Sequence, residues 1–183
     1  RQTLPFRHDI RVVTVPGCID GWVALNERFG SMPLAEVIQP AIDLAEYGFP
    51  ASPLLVGAVR QLDSRGAEAL HELSSQATSV GAVVRRPGVA RALRAVASGG
   101  RDGFYLGEFG QGLKELGNGL FHDRDLEQSS AEWVTPLTSS AFGIDLHTIP
   151  PNSQGYLTLG AASLLDGIDL GEIDDDRWAH LTI

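Results

Sequence analysis

Glycine and proline interrupt this chain at short intervals, so no helix or strand can run for long. Between these interruptions, apolar residues recur every three or four positions, a spacing typical of helices that bury one face. The sequence therefore predicts an α+β fold that is predominantly helical. The clearest interruptions are Pro16-Gly17, Gly30, Gly48 with Pro50, Gly99-Gly100, Pro150-Pro151 and Gly167.

Helices are predicted from this spacing together with start and end signals. Ser52-Pro53 is a strong start signal, since serine caps a helix and proline fits its first turn. Pro40 lies inside the second predicted helix and is expected to kink or restart it. Residues 74–81 are predicted to form a loop. The predicted helices begin near residues 17, 31–33, 52, 87, 101 and 153, and a last one begins at the acidic residues 174–176.

Short strands are predicted in two parts of the chain. The β-branched segment 11–15 indicates one strand that ends at a Pro-Gly turn. Residues 133–137 and 144–149 indicate a strand pair around Gly143. We predict a single fragment over residues 1–183, with a helical region over 15–118 and a strand pair followed by helices over 131–183.

Charge and hydropathy exclude several classes of function. The 183 residues carry a formal net charge of -9, which disfavours nucleic acid as a partner because phosphate binding needs a basic face. No apolar run is long enough to span a membrane. No signal-peptide pattern is visible, and the single cysteine is compatible with either redox compartment, so the localisation stays open. The abrupt beginning and end favour a piece of something larger.

The histidines do not indicate a metal site, because no two of them lie three to five residues apart. A site assembled from distant histidines stays open at this point, although isolated histidines are the favoured interpretation. We predict no metal and no cofactor. The five histidines are His8, His71, His122, His147 and His180.

Two residues are candidate nucleophiles, Cys18 and Ser153. Cys18 follows a Pro-Gly turn at a predicted helix start, where a helix dipole lowers the pKa of a thiol, but a small packed residue is favoured because no histidine is near in sequence. Ser153 has Pro151 where a nucleophile elbow requires glycine, so a helix cap is favoured. The sequence predicts no catalytic residue, and it leaves the substrate-binding residues unknown.

Two clusters of charged residues could in principle form a binding site. The acidic residues between Asp166 and Asp176 lack the spacing of a calcium loop, because Ile168 occupies the third position. They are interpreted as solvated loop and helix-cap acids. The arginines between Arg85 and Arg94 are interpreted as the solvated side of a helix.

Several segments, in this order, resemble the γ-glutamyltransferase (γ-glutamyltranspeptidase) family, and in particular the middle of its large subunit. Each motif is weak alone, but the ordered set is specific and covers about the whole chain. The segments are residues 15–22, 28–34, 39–41, 45–50, 103–107, 125–126, 133, 136–137, 150–155 and 178–181.

The resemblance implies an N-terminal-nucleophile hydrolase of αββα architecture. In that family a precursor cuts itself into a large and a small subunit. The new N-terminal threonine of the small subunit then attacks a γ-glutamyl amide such as that of glutathione, with its α-amino group as base. The acyl group passes to water or to an amine acceptor. These catalytic groups are expected outside this chain, and no role is carried over to Arg7 or Arg11.

The resemblance also implies partners: the rest of the large subunit, the small subunit, and a small γ-glutamyl or acyl-amide substrate. Residues 150–155 read Pro-Pro-Asn-Ser-Gln-Gly where better-known members read Pro-Pro-Pro-Ser-Ser-Gly-Gly. The family also includes cephalosporin acylases, so the substrate stays open. The chain alone is expected to be inactive. The alternative is a standalone, non-catalytic helical interaction domain on the same scaffold.

Overall fold

The computed structural model describes Thr3 and residues 9–168 and divides the chain into two compact units, Arg1–Ala131 and Glu132–Ile183. Several sequence features lie outside the described residues. They are Arg7, His8, the acidic residues from Asp169 onward, the predicted last helix with His180, and the motif at residues 178–181.

The described part of the first unit is built from helices and one short strand pair. Strands β1 (Phe49–Pro50) and β2 (Val83–Val84) are antiparallel, with Phe49 opposite Val84. In chain order the elements are α1 (Cys18–Phe29), α2 (Leu34–Tyr47), β1 (Phe49–Pro50), α3 (Pro53–Arg60), α4 (Ser64–Ala69), α5 (His71–Ser74), β2 (Val83–Val84), α6 (Pro87–Tyr105), α7 (Glu108–Gly117) and α8 (Asp123–Glu127).

Two clusters of buried apolar side chains hold these elements together. The larger cluster joins α1, α2, α6, α7 and α8, and its most buried members include Ile42, Val96 and Leu126. The smaller cluster joins α3 to the β1–β2 pair through Val56 and Val84. Because the two strands are only two residues long, their stability depends on this packing more than on their own hydrogen bonds.

The second unit contains a hairpin and a helix within its described residues. Strands β3 (Leu137–Ala141) and β4 (Ile144–Thr148) are antiparallel, and α9 (Gly155–Asp166) packs on them. The turn of the hairpin has positive φ at both Phe142 and Gly143. Asp166 accepts a hydrogen bond of 2.7 Å from the Phe142 N–H, which ties the end of α9 to this turn.

The predicted strand over residues 11–15 is wrong. Ile10–Val12 instead form a short 3-10 helix, because the Asp9 carboxylate accepts hydrogen bonds from the Arg11 N–H at 2.9 Å and from its guanidinium at 2.7 and 2.8 Å. This local capping outweighs the strand preference of the β-branched residues. Val13 is extended but lies in no sheet among the described residues.

Proline bears on two further predictions: the kink or restart expected at Pro40, and the start of the first hairpin strand. The second helix does not restart at Pro40; α2 is continuous through it, with Ile38 and Ile42 buried on either side. The first strand of the predicted pair begins at Leu137 and not at residue 133. Pro136 has no N–H to donate to a strand ladder, so pairing begins after it.

The predicted break at Gly99-Gly100 is confirmed as a change of direction within α6. Gly100 has φ 55° and ψ -135°, which is not helical, and residues 101–105 then form a further helical turn. The helix predicted over residues 101–116 is divided between this turn and α7, with Leu106 and Gly107 between them. The change of direction at Gly100 sets the direction of the Arg101 and Tyr105 side chains.

We predict that Gly100→Ala lowers the free energy of unfolding by about 1–3 kcal/mol, because a side chain is strained in this backbone conformation. The matched control is Gly99→Ala. That neighbouring helical glycine has no positive φ and no atom near its would-be Cβ, so alanine should be neutral or stabilising by up to about 1 kcal/mol. Urea unfolding followed by circular dichroism measures both variants. Equal effects at the two positions would contradict the prediction.

Candidate functional site

A buried ion pair lies where α1 meets the last turn of α6. The Asp20 side chain is 3% exposed, and one of its carboxylate oxygens, Oδ1, lies 2.7 Å from Nε of Arg101. Neither of these two atoms makes a well-directed hydrogen bond, so their attraction is that of opposite charges. Removing the Arg101 charge would leave the Asp20 carboxylate buried without a cation, which is strongly unfavourable. Arg101 has a second, longer ion pair of 3.5 Å with the exposed Asp102.

The same two side chains also bind the backbone that follows α8. The Arg101 guanidinium donates hydrogen bonds to the carbonyl oxygens of Leu126 at 2.6 Å and Gln128 at 2.7 Å. The second Asp20 carboxylate oxygen, Oδ2, accepts a hydrogen bond of 2.7 Å from the Ser130 N–H. Asp20 and Arg101 therefore connect the start of α1, the end of α6 and residues 126–130.

Tyr105 completes this centre. Its ring lies 4.7 Å from the Arg101 guanidinium carbon, and its hydroxyl donates a hydrogen bond to the carbonyl oxygen of Pro16. The Asp20 N–H donates to the same hydroxyl at 3.4 Å. Burial raises the pKa of the Tyr105 phenol, so it remains a neutral donor at ordinary pH. We define Asp20, Arg101 and Tyr105 as the polar centre.

The polar centre has the chemistry of a structural junction. The carboxylate of Asp20 is occupied by the Arg101 guanidinium and by a backbone N–H. A general base needs a free lone pair within hydrogen-bond reach of the proton it removes. These contacts therefore indicate that Asp20 has a structural role, which is to hold the backbone in place, and not a role in proton transfer.

The structure does not join Cys18 or Ser153 to a base among the described residues. Cys18 is the first residue of α1 and is exposed, with no hydrogen bond to its thiol in the described part of the chain. The Ser153 hydroxyl accepts a hydrogen bond of 3.2 Å from the Gly155 N–H at the start of α9. The predicted helix cap at Ser153 is wrong: the N-cap position of α9 is Gln154, and the Ser153 hydroxyl instead closes a local turn just before the helix.

The described histidines lie in different local settings. His122 precedes α8, and its N–H donates to Asp125 at 2.9 Å. The His147 ring shares a hydrogen bond of 3.0 Å with Thr138 on the paired strand. Over Thr3 and residues 9–168, no three His, Cys, Asp or Glu side chains are grouped so as to hold a metal ion.

The arginines at the start of α6 are largely paired with carboxylates. Arg91 lies 2.8 Å from Glu108 and holds the pKa of that carboxyl below its ordinary value. Arg94 contacts Glu46 on α2, and a third arginine, Arg86, lies 3.2 Å from Glu72. Pairing of this kind is consistent with the solvated helix side predicted for these residues.

A large apolar groove runs along the first unit between α1, α2 and α6. Its volume is about 640 Å³. Phe29 is 67% exposed at its edge, and Leu25 and Val37 are also exposed. Exposed apolar surface of this extent marks a place where another molecule or chain segment packs. The lining residues are Trp22, Leu25, Asn26, Phe29, Gly30, Leu34, Val37, Ile38, Ala41, Val89 and Leu93.

In the second unit, α9 presents apolar residues on nearly every side. Leu159 is buried, whereas Tyr156, Leu157 and Leu164 are exposed. A helix that is apolar all round is typically buried in its complete protein. In the described residues, no helix has the length and apolar character that a membrane crossing would require.

Comparisons with known proteins agree on one family. The profile described as Gamma-glutamyltranspeptidase matches residues 3–183. The glutathione hydrolase-like YwrD proenzyme of Bacillus subtilis is 30% identical over 98% of this chain and 36% of its own length. The acylase ACY 1 proenzyme of Pseudomonas sp. (strain SE83) is 32% identical over 89% of this chain and 31% of its own length.

A solved structure gives the same result. The crystal structure of cephalosporin acylase from Bacillus halodurans superposes with a TM-score of 0.81 and 30% identity, covering 100% of this chain and 36% of that one. The chain therefore spans about a third of the length of the relatives it matches.

We predict that Tyr105→Phe lowers the free energy of unfolding by about 1–2 kcal/mol, because the Pro16 carbonyl oxygen loses its hydrogen-bond donor. The matched control is Tyr47→Phe, since Tyr47 is 68% exposed and should be insensitive to loss of its hydroxyl. Thermal unfolding of the two variants checks the prediction, and an equal loss at both positions would refute it.

Proposed function

We propose a function from the premise that this chain belongs to the gamma-glutamyltranspeptidase family, as the match over residues 3–183 shows. The predicted family is therefore confirmed. The predicted fold class is also confirmed: the chain is α+β and predominantly helical, and its structural relatives are N-terminal-nucleophile hydrolases of this family.

The complete protein, in this proposal, cleaves a γ-glutamyl or related acyl amide and transfers the acyl group to water or to an amine acceptor. The nucleophile is an N-terminal threonine outside this chain, and its α-amino group acts as the base. Backbone N–H groups stabilise the oxyanion. The family match over nearly the whole chain is the observation that carries this proposal.

This chain contributes a scaffold and has no activity of its own. The contacts of Cys18 and Ser153 support this view, because neither side chain is joined to a base among the described residues. The polar centre is occupied by internal contacts. The proposed partners are the rest of the large subunit and the small subunit, which would cover the apolar groove and the exposed side of α9.

The substrate class is an amide whose acyl group need not be γ-glutamyl. The three relatives described above carry two kinds of name: glutathione hydrolase-like for one, and acylase for the other two. Their identities to this chain are nearly equal, at 30–32%. Both substrate types therefore belong in the first assay, with neither favoured by similarity.

We predict that the 183-residue chain releases no p-nitroaniline from γ-glutamyl-p-nitroanilide, whereas the complete protein cleaves this compound or an acyl-amide substrate. The variants Cys18→Ser and Ser153→Ala of the complete protein should keep their activity. Product release by the isolated chain would contradict the inactivity proposal. Loss of activity in a normally folded Cys18→Ser variant would instead support a cysteine nucleophile, and a complete protein inactive on every amide would contradict the family reaction.

We also predict that the isolated chain binds a dye specific for apolar surface, and that the complete protein binds much less, because its other parts cover the groove. Leu25→Glu is a suitable variant, since Leu25 lines the groove and is 53% exposed, so the charge should weaken dye binding without unfolding the chain. Fluorescence titration measures the difference. Equal, weak binding by both proteins would favour the standalone interaction domain.

A further inference from the structure

The backbone between α8 and β3 has neither helix nor strand to hold it. Residues 128–136 form no regular element. We define residues 126–131 as the connecting segment. It comprises the last two residues of α8 and the next four, which lead along the chain to the second unit. Within this segment, the long-range hydrogen bonds are those from Arg101 to Leu126 and Gln128 and from Ser130 to Asp20.

These hydrogen bonds are of the strong kind. Each has a charged partner, the Arg101 guanidinium or the Asp20 carboxylate, and each is 2.6–2.7 Å long. Both side chains are shielded from water, with exposures of 15% for Arg101 and 3% for Asp20. A hydrogen bond with a charged partner is stronger where water is excluded, because water and dissolved salt then screen the charge less.

We propose that Asp20 and Arg101 form a lock on the connecting segment. Each charge keeps the other in place, and together they fix the path by which the backbone leaves α8. Opening the lock releases the connecting segment while the helices of the first unit stay folded. The roles of the two residues are distinct: Arg101 holds two carbonyl oxygens, and Asp20 holds one N–H and orients Arg101.

The packing explains why the release is local. The larger apolar cluster joins α1, α2, α6, α7 and α8 through side chains such as Ile42 and Val96, and this packing does not depend on the charges of Asp20 and Arg101. Leu126 is the one residue of the connecting segment in that cluster. Beyond Leu126, the segment depends on the lock for its long-range hydrogen bonds.

The test compares a single and a double variant of the complete protein by hydrogen exchange and mass spectrometry. Arg101→Met leaves Asp20 as an unpaired buried charge, so general destabilisation is expected as well. Asp20→Asn combined with Arg101→Met removes both charges and should recover part of the lost stability. In the double variant, the Ser130 amide should exchange on the order of tenfold faster, because its hydrogen bond to a charged carboxylate is gone. The other amides of residues 127–132 should also exchange faster, because the carbonyl oxygens of Leu126 and Gln128 have lost Arg101 and the segment opens.

The matched control removes an exposed ion pair in the same way. Glu108→Gln with Arg91→Met eliminates the 2.8 Å pair between α7 and α6. This variant should leave exchange at residues 127–132 unchanged. Cleavage by an endoprotease specific for glutamate gives a second measurement, since cutting after Glu127 and Glu132 should accelerate in the lock variant and not in the control.

Two outcomes would overturn the proposal. One is a double variant in which residues 127–132 stay as protected as in the unmodified protein. The other is faster exchange that is equal across α2, α6 and the connecting segment, which would mean that the pair supports the whole unit and has no local role. Selective exchange at residues 127–132, with α2 and α6 protected, supports the lock.

Discussion

The attraction between Asp20 and Arg101 is the polar contact that fixes where α1, the last turn of α6 and the backbone after α8 meet. A buried carboxylate is unfavourable unless a cation and hydrogen-bond donors surround it, and here the cation comes from a helix distant in sequence. The pair can form only when α1 and the last turn of α6 have met. It therefore favours one arrangement of these helices over others that would bury the same apolar area.

Elements with local signals could be predicted from the sequence. Helix α3 begins where the serine and proline signals place it, because the Ser52 hydroxyl accepts a hydrogen bond of 3.1 Å from the Leu55 N–H. Helix α1 ends at Gly30 for a similarly local reason. In both cases the interactions that fix the boundary lie within a few residues, so periodicity and capping were sufficient.

Features that depend on distant partners could not be predicted. The β1–β2 pair joins residues 49–50 to 83–84, and no pattern of two residues indicates a strand. No local pattern in the sequence marks Asp20 as a buried charge, because its burial depends on Arg101 of another helix. The position of Arg101 depends in turn on the backbone of Gly100, where the predicted break occurs but where a further helical turn follows in a new direction.

The candidate site likewise combines local sequence motifs with contacts between residues that are distant in sequence. Two of the segments that carry the family resemblance, residues 15–22 and 103–107, contain Pro16, Asp20 and Tyr105, which meet around the polar centre. In the structure, these two motifs therefore join the elements of the first unit to one another. For this reason they identify the family while leaving open which acyl group the proposed reaction transfers. The residues that distinguish a γ-glutamyl amide from another acyl amide must contact that acyl group, and the junction described by these motifs is filled by contacts within the chain itself.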